Sequence, residues 1–189
     1  SLIDEKFVGT ILGQPTVFNS NVIFNSRIDN KDYFFAYQLN DSRVNQRLNI
    51  TLSNEADFSG IKCLSLNGTD SCVFKDKRNY VHILNLDSKI DNSYNTSVYN
   101  ETHQTVPAIG DIDNDGSQEA VFWHNEGMTD GYGFLAFDLG ERKVDWIVDN
   151  IYVSSYYTLK GQPVLVDLNS DNKLEIAGSV FYDDALNVD

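Results

Sequence analysis

Acidic side chains on alternate positions are the residues best placed to do chemistry in this sequence. Asp111, Asp113, Asp115 and Glu119 stand at positions 1, 3, 5 and 9 of one short stretch. Carboxylates spaced in this way converge on a point when the chain folds tightly around it. Hard oxygen ligands at about 2.3–2.6 Å are what calcium coordination demands. Gly116 at position 6 supplies a positive-φ turn, and the carbonyl of Ser117 at position 7 would complete the shell. A second stretch repeats the arrangement with Asp167, Asn169, Asp171 and Glu175, the Lys173 carbonyl at position 7 and Asn172 in place of glycine. Asn tolerates the left-handed region better than other non-glycine residues. Two Ca2+ sites are therefore expected. The first should be the tighter, because it offers four carboxylates against three and Lys173 brings a positive charge to the second.

An EF-hand or dockerin begins in the same way but needs a bidentate Glu at position 12. Those positions hold Phe122 and Gly178, and the segments 120–124 and 176–181 read as strands where an EF-hand needs a helix. The nine-residue spacing thus identifies a hairpin loop between two strands. Metal-free Asx turns are the plainer alternative, since Asp, Asn and Gly are ordinary turn residues. Two loops in register, each with its acid at position 9, weigh against it. The three histidines, His82, His103 and His124, share no spacing that would make a zinc site or triad, and His124 beside Trp123 reads as a strand residue. Gly131-Tyr132-Gly133 precedes a strand and opens no helix, so it is no phosphate loop.

The elements that must hold these loops emerge from an internal repeat. Residues 106–121 superpose on 162–177 without a gap, 56 residues apart as Pro107 and Pro163 are. A fainter third copy begins at Gly13-Gln14-Pro15, matching Gly161-Gln162-Pro163, so all three prolines share one repeat position. Proline at the first residue of a strand removes a donor that the ladder need not use. In this copy the loop has shrunk to 19–23, with no carboxylate, and no metal is expected. Between the clear copies, the apolar segments 119–124, 133–138 and 144–148 join 106–110 to make four short strands. A four-stranded sheet recurring every 40 to 60 residues or so is a propeller blade.

The expected fold is thus all-β, built of four-stranded antiparallel β-propeller blades. Residues 105–160 form a calcium-binding blade and 161–189 begin a further one. Residues 13–104 make either one enlarged blade with an insertion near Cys63 and Cys72 or two compact blades, and the polar stretches 67–72 and 91–103 favour the insertion. At this period 189 residues fall short of a closed ring of blades, which points to an incomplete propeller cut from a longer ectodomain. The aromatic group Trp146, Tyr152, Tyr156 and Tyr157 suits blade core better than a ligand platform.

A net charge of −14 and a pI near 4.4 argue against nucleic acid and anionic membrane surfaces as partners, and suit a chain that gathers divalent cations. No apolar run is long enough for direct membrane insertion. Cys63 and Cys72 could close a small loop in an oxidising compartment, and their spacing excludes a CxxC site. Sequons begin at Asn40, Asn49, Asn67, Asn95 and Asn100, which with the cysteines points to a secreted or cell-surface glycoprotein.

Gly110-Asp111-Ile112-Asp113-Asn114-Asp115-Gly116 with Glu119, and Asp167-Leu168-Asn169-Ser170-Asp171 with Glu175, resemble the FG-GAP repeats of integrin α-subunits and of the T-cell immunomodulatory protein (linkin) group. The likeness covers residues 105–181 and, weakly, 13–23. The Phe-Gly and Gly-Ala-Pro elements that name the repeat are not recognisable. The resemblance implies a blade of a roughly seven-bladed propeller, with calcium as a structural clamp on one face and protein ligands bound elsewhere. The expected role is that of a non-enzymatic binding or adhesion module whose partner is a protein ligand or a neighbouring propeller segment. A propeller segment of a secreted hydrolase or lyase, and an architectural repeat of an extracellular filament, are the alternatives.

Overall fold

A computed structural model describes residues 10–12, 14–40, 43–52, 60–76, 78–96, 106–125, 132–151, 157–159 and 162–182. All regular structure among them is antiparallel β-sheet, as the short apolar segments required. No helix among the described residues is long and apolar enough to cross a membrane.

Three sheets follow one another along the chain. The first comprises β1 (Thr10–Ile11), β2 (Thr16–Phe18), β3 (Asn21–Ile28), β4 (Lys31–Asn40) and β5 (Arg43–Thr51), with β1 and β2 sharing one edge of β3. The second is β6 (Lys62–Leu66), β7 (Thr69–Lys75), β8 (Tyr80–Asn85) and β9 (Asp91–Asn95). The third is β10 (Ala108–Gly110), β11 (Glu119–Asn125), β12 (Tyr132–Asp138) and β13 (Lys143–Ile151). A fourth unit pairs β14 (Tyr157–Leu159) with β17 (Val180–Tyr182), and β15 (Val164–Val166) with β16 (Glu175–Ala177).

Residues 13–104 therefore hold two sheets, and the single enlarged blade favoured by their polar sequence is corrected. The stretches 67–72 and 91–103 are not loops where they are described, because β7 and β9 run through them. Their polarity has a local cause. Asn67 and Gly68 form a two-residue hairpin turn with φ of 51° and 75°, the type I′ geometry that matches strand twist. Asn92, Ser93 and Asn95 are exposed positions on an outer strand. Asn49, Asn67 and Asn95 are all exposed, while Asn100 lies outside the described residues. Cys63 and Cys72 are directly opposed across β6 and β7 and joined by a disulfide, so the bond staples a ladder and not an insertion. The unit boundaries also move, since β1 pairs with β3 and β14 with β17, placing Thr10 and Tyr157 inside the first and fourth units.

Each middle sheet is buried on both faces, which explains the near-continuous apolar runs. Along a strand the side chains alternate between faces. Cys72, Phe74 and Leu84 of the second sheet pack against Phe34, Ala36 and Leu48 of the first. Their neighbours Val73, Val81 and Ile83 turn the other way, onto Ala120, Phe122, Leu135 and Phe137 of the third. The opposite face of the third carries Val121, Trp123, Phe134 and Ala136, which meet Leu165 and Ile176 of the fourth unit. Each fully buried Phe or Leu in these layers is worth roughly 1.5–3 kcal/mol in transfer free energy. Successive sheets thus stack face to face, with β2 beside β6 and β10 beside β15.

The units share small devices as well. A backbone N–H at the end of the third strand donates to the carbonyl beside the first hairpin in every full sheet: Leu39 to Ser20, Leu86 to Asp70 and Leu139 to Gln118. The turns after β8 and β12 are alike bond for bond. Asn85 Oδ1 accepts from Asp87 and Ser88, Asp138 Oδ1 accepts from Gly140 and Glu141, and Lys89 and Arg142 both have φ of 62°.

Candidate metal centres

The two acidic stretches occupy one structural position, the connection between the first and second strands of adjacent units. In the first two sheets that connection is only Asn19-Ser20, with φ of 45° and 60°, or Asn67-Gly68. In the third sheet Gly110 pairs with Glu119, and in the fourth unit Val166 pairs with Glu175. Everything between those pairs bulges out as a loop. The ninth-position acid is therefore the first residue of the second strand, held rigidly by the ladder, while the acids at positions 1, 3 and 5 ride on the loop. In the shortened copy only Asn19-Ser20 form the turn, and residues 21–23, read as loop from the sequence, belong to β3.

Inside the loops the same hydrogen bonds recur at the same positions. The position-1 carboxylate accepts from the position-6 N–H: Gly116 to Asp111 Oδ2 at 3.1 Å, and Asn172 to Asp167 Oδ2 at 2.9 Å. The position-3 side chain accepts from position 5, and position 5 from position 7, through Asp115, Ser117, Asp171 and Lys173 N–H groups. Finally, Glu119 Oε2 accepts from Ile112 N–H at 2.8 Å and Glu175 Oε2 from Leu168 N–H at 2.7 Å. Backbone φ is positive at position 6 (Gly116 92°, Asn172 66°), where Gly or Asn was expected. It is positive at position 4 too (Asn114 62°, Ser170 64°), which residue type alone does not signal at Ser170.

Three acids converge in each loop, and Glu119 stands outside the first trio whereas Glu175 belongs to the second. Ligand oxygens of Asp111, Asp113 and Asp115 lie within 4.8 Å of one another, as do those of Asp167, Asp171 and Glu175. Glu119 is only 1% exposed. Burial pushes its carboxyl up to about 7, against the pull of the Ile112 N–H and with the help of Asp113, Asp138 and Asp111. Asp111 Oδ1 is buried and accepts no hydrogen bond. A divalent cation at this point would satisfy that oxygen and relieve the repulsion among the acids. The Ser117 hydroxyl points elsewhere, donating to Asp138 Oδ1 at 2.9 Å, so only its carbonyl could serve an ion. Burial works against ionised Asp138, but N–H groups of Glu141 and Gly140 and the Ser117 hydroxyl outweigh it and hold its carboxyl low.

The second loop differs at position 3. Asn169 turns its amide Nδ2 toward Glu175 Oε1 at 3.0 Å and Asp171 Oδ2 at 3.3 Å, while its Oδ1 accepts from Asp171 N–H. Asp113 keeps a second oxygen for an ion, whereas Asn169 must surrender its hydrogen bonds to offer one. Lys173 is exposed at the loop tip.

The other candidates resolve differently. His82 is no isolated histidine: it is 3% exposed, stacked on Phe74 at 4.7 Å and held between Asp76 (3.2 Å from Nε2) and Asp91 (2.9 Å from Nδ1). Burial alone would depress it, but the two carboxylates win and raise it to about 9. It is an imidazolium buried for structure. No spacing in the sequence signals the cluster, since Asp76 and Asp91 stand six and nine residues from His82. His124 is fully buried in β11. Trp146 packs on the third apolar cluster, and His103, Tyr152 and Tyr156 lie outside the described residues. No protein-family model matches the chain, and no curated protein matches it.

Proposed function

We propose that this chain is a calcium-stabilised, FG-GAP-like propeller module of the secretory pathway, acting by binding or adhesion and not by catalysis. The observation that carries the reading is the pair of loops at the first hairpin of adjacent blades that share four hydrogen bonds at the same positions, each ending in a strand-anchored glutamate. A decayed Asx turn has no reason to keep a 99% buried carboxylate, and Glu119 is one. The disulfide between opposed residues supports an oxidising compartment. Calcium in this reading clamps the β10–β11 and β15–β16 hairpins, leaving the faces away from the loops to a protein ligand. The binding role rests on the resemblance.

Isothermal calorimetry tests the calcium half of the reading. Two sites with Kd of about 0.1–1 mM, the affinity range of extracellular modules, are expected. Heats absent at both loops in millimolar calcium would return them to ordinary turns. Adhesion is tested by displaying the chain on beads and counting captured cells in calcium and in chelator. Capture that is unaffected by chelator would separate adhesion from the calcium loops.

A further inference from the structure

The two acidic loops meet through residues that hold no ion. β10, which leads into the first loop, lies beside β15, which leads into the second. A methyl group placed on Gly110, the residue before Asp111, would come within 2.8 Å of Leu174 Cδ1 and 2.9 Å of Leu165 Cδ1. Leu174 is position 8 of the second loop, adjoining Glu175. In the other direction Ile112, position 2 of the first loop, packs in the cluster that contains Leu165 and Ile176, the residues that flank the second loop. Ile112 is also the residue whose N–H holds Glu119. Leu174 of the second loop thus reaches the strand residue that precedes Asp111, while Ile112 of the first packs on the same apolar cluster as Leu165 and Ile176. Leu168 occupies the position of Ile112 in the second loop and is 68% exposed, so among the described residues the contact joins this one pair of loops.

We infer that the two calcium sites are coupled through the contact of Gly110 with Leu165 and Leu174, so that filling either loop raises the affinity of the other. The inference rests on the calcium reading of the preceding section. Without an ion, repulsion among the acids loosens a loop and with it Gly110 or Leu174. An ion in one loop fixes that loop's half of the contact. The second ion then binds to a loop already partly ordered, which lowers the entropy it must remove. Linkage makes the effect equal in both directions.

The test is calorimetry on the wild type and on variants that disable one loop at a time, Asp113→Ala and Asp171→Ala, with Asp113→Asn and Asp171→Asn as isosteric controls for folding. Loss of either site should weaken the remaining one by roughly fivefold or more, and by the same factor from both sides. Leu174→Ala, which removes no ligand, should leave two sites and abolish that factor. Remaining sites whose affinity ignores the loss of the other would overturn the coupling and leave the calcium reading standing. Coupling that survives Leu174→Ala would overturn its route through this contact. A wild type that takes up no calcium would remove the premise itself.

Discussion

At the scale of single residues, a calcium ion in the first loop would compete with the proton for Glu119. Its folded carboxyl without metal titrates near 7, above its unfolded value of 4.5. A raised acid binds more protons folded than unfolded, so in chelator this group makes stability fall as pH rises from about 4.5 to 7, with no further change above. Calcium binding to the first loop should accordingly strengthen with pH up to about 7 and release a proton below it, which calorimetry in buffers of different ionisation enthalpy detects. Glu119→Gln should abolish both effects. His82 runs the opposite way: its folded value near 9 lies above the unfolded 6.5. The stability it supplies is complete below pH 6.5 and lost as pH climbs through 9, so urea midpoints should fall more over that window in the wild type than in His82→Gln. Spacing alone made the loop acids legible, because alternate carboxylates have few other uses. The His82 cluster was not, since Asp76 and Asp91 come to it through a turn and a neighbouring strand and follow no spacing.

At the scale of elements, the third sheet and the loops were legible because the repeat keeps both Pro and acids, while the second sheet keeps neither. Its connection has contracted to Asn67-Gly68, and the period is lost there. The surviving signal lies after the third strand, where Asn85-Leu86-Asp87-Ser88-Lys89 and Asp138-Leu139-Gly140-Glu141-Arg142 make the same turn. Packing between units offers a sharper test than the turns. Gly178 sits under the Trp123 and Phe134 rings, which stack at 4.2 Å, and a methyl group there would come within 2.7 Å of Trp123 Cη2. The ring is wedged between sheets and cannot retreat, so Gly178→Ala should cost about 1–3 kcal/mol of stability. Denaturant titration followed by tryptophan fluorescence measures it, and the loss should persist in chelator because no ligand is touched.

At the scale of the whole molecule, each sheet buries its faces against its neighbours in sequence, so stability passes along the stack by nearest-neighbour contacts. Two calcium ions at the β10–β11 and β15–β16 hairpins would fasten the stack where β10 and β15 adjoin. Thermal unfolding of the wild type and of the Asp113→Ala, Asp171→Ala double variant, each in 10 mM calcium and in chelator, measures this most directly. With Kd of about 0.1–1 mM, each ion should add roughly 1.4–2.7 kcal/mol at that concentration. Calcium should then raise the Tm of the wild type by roughly 5 °C or more and leave that of the double variant unmoved. A wild-type Tm that is the same in calcium and in chelator would contradict the account.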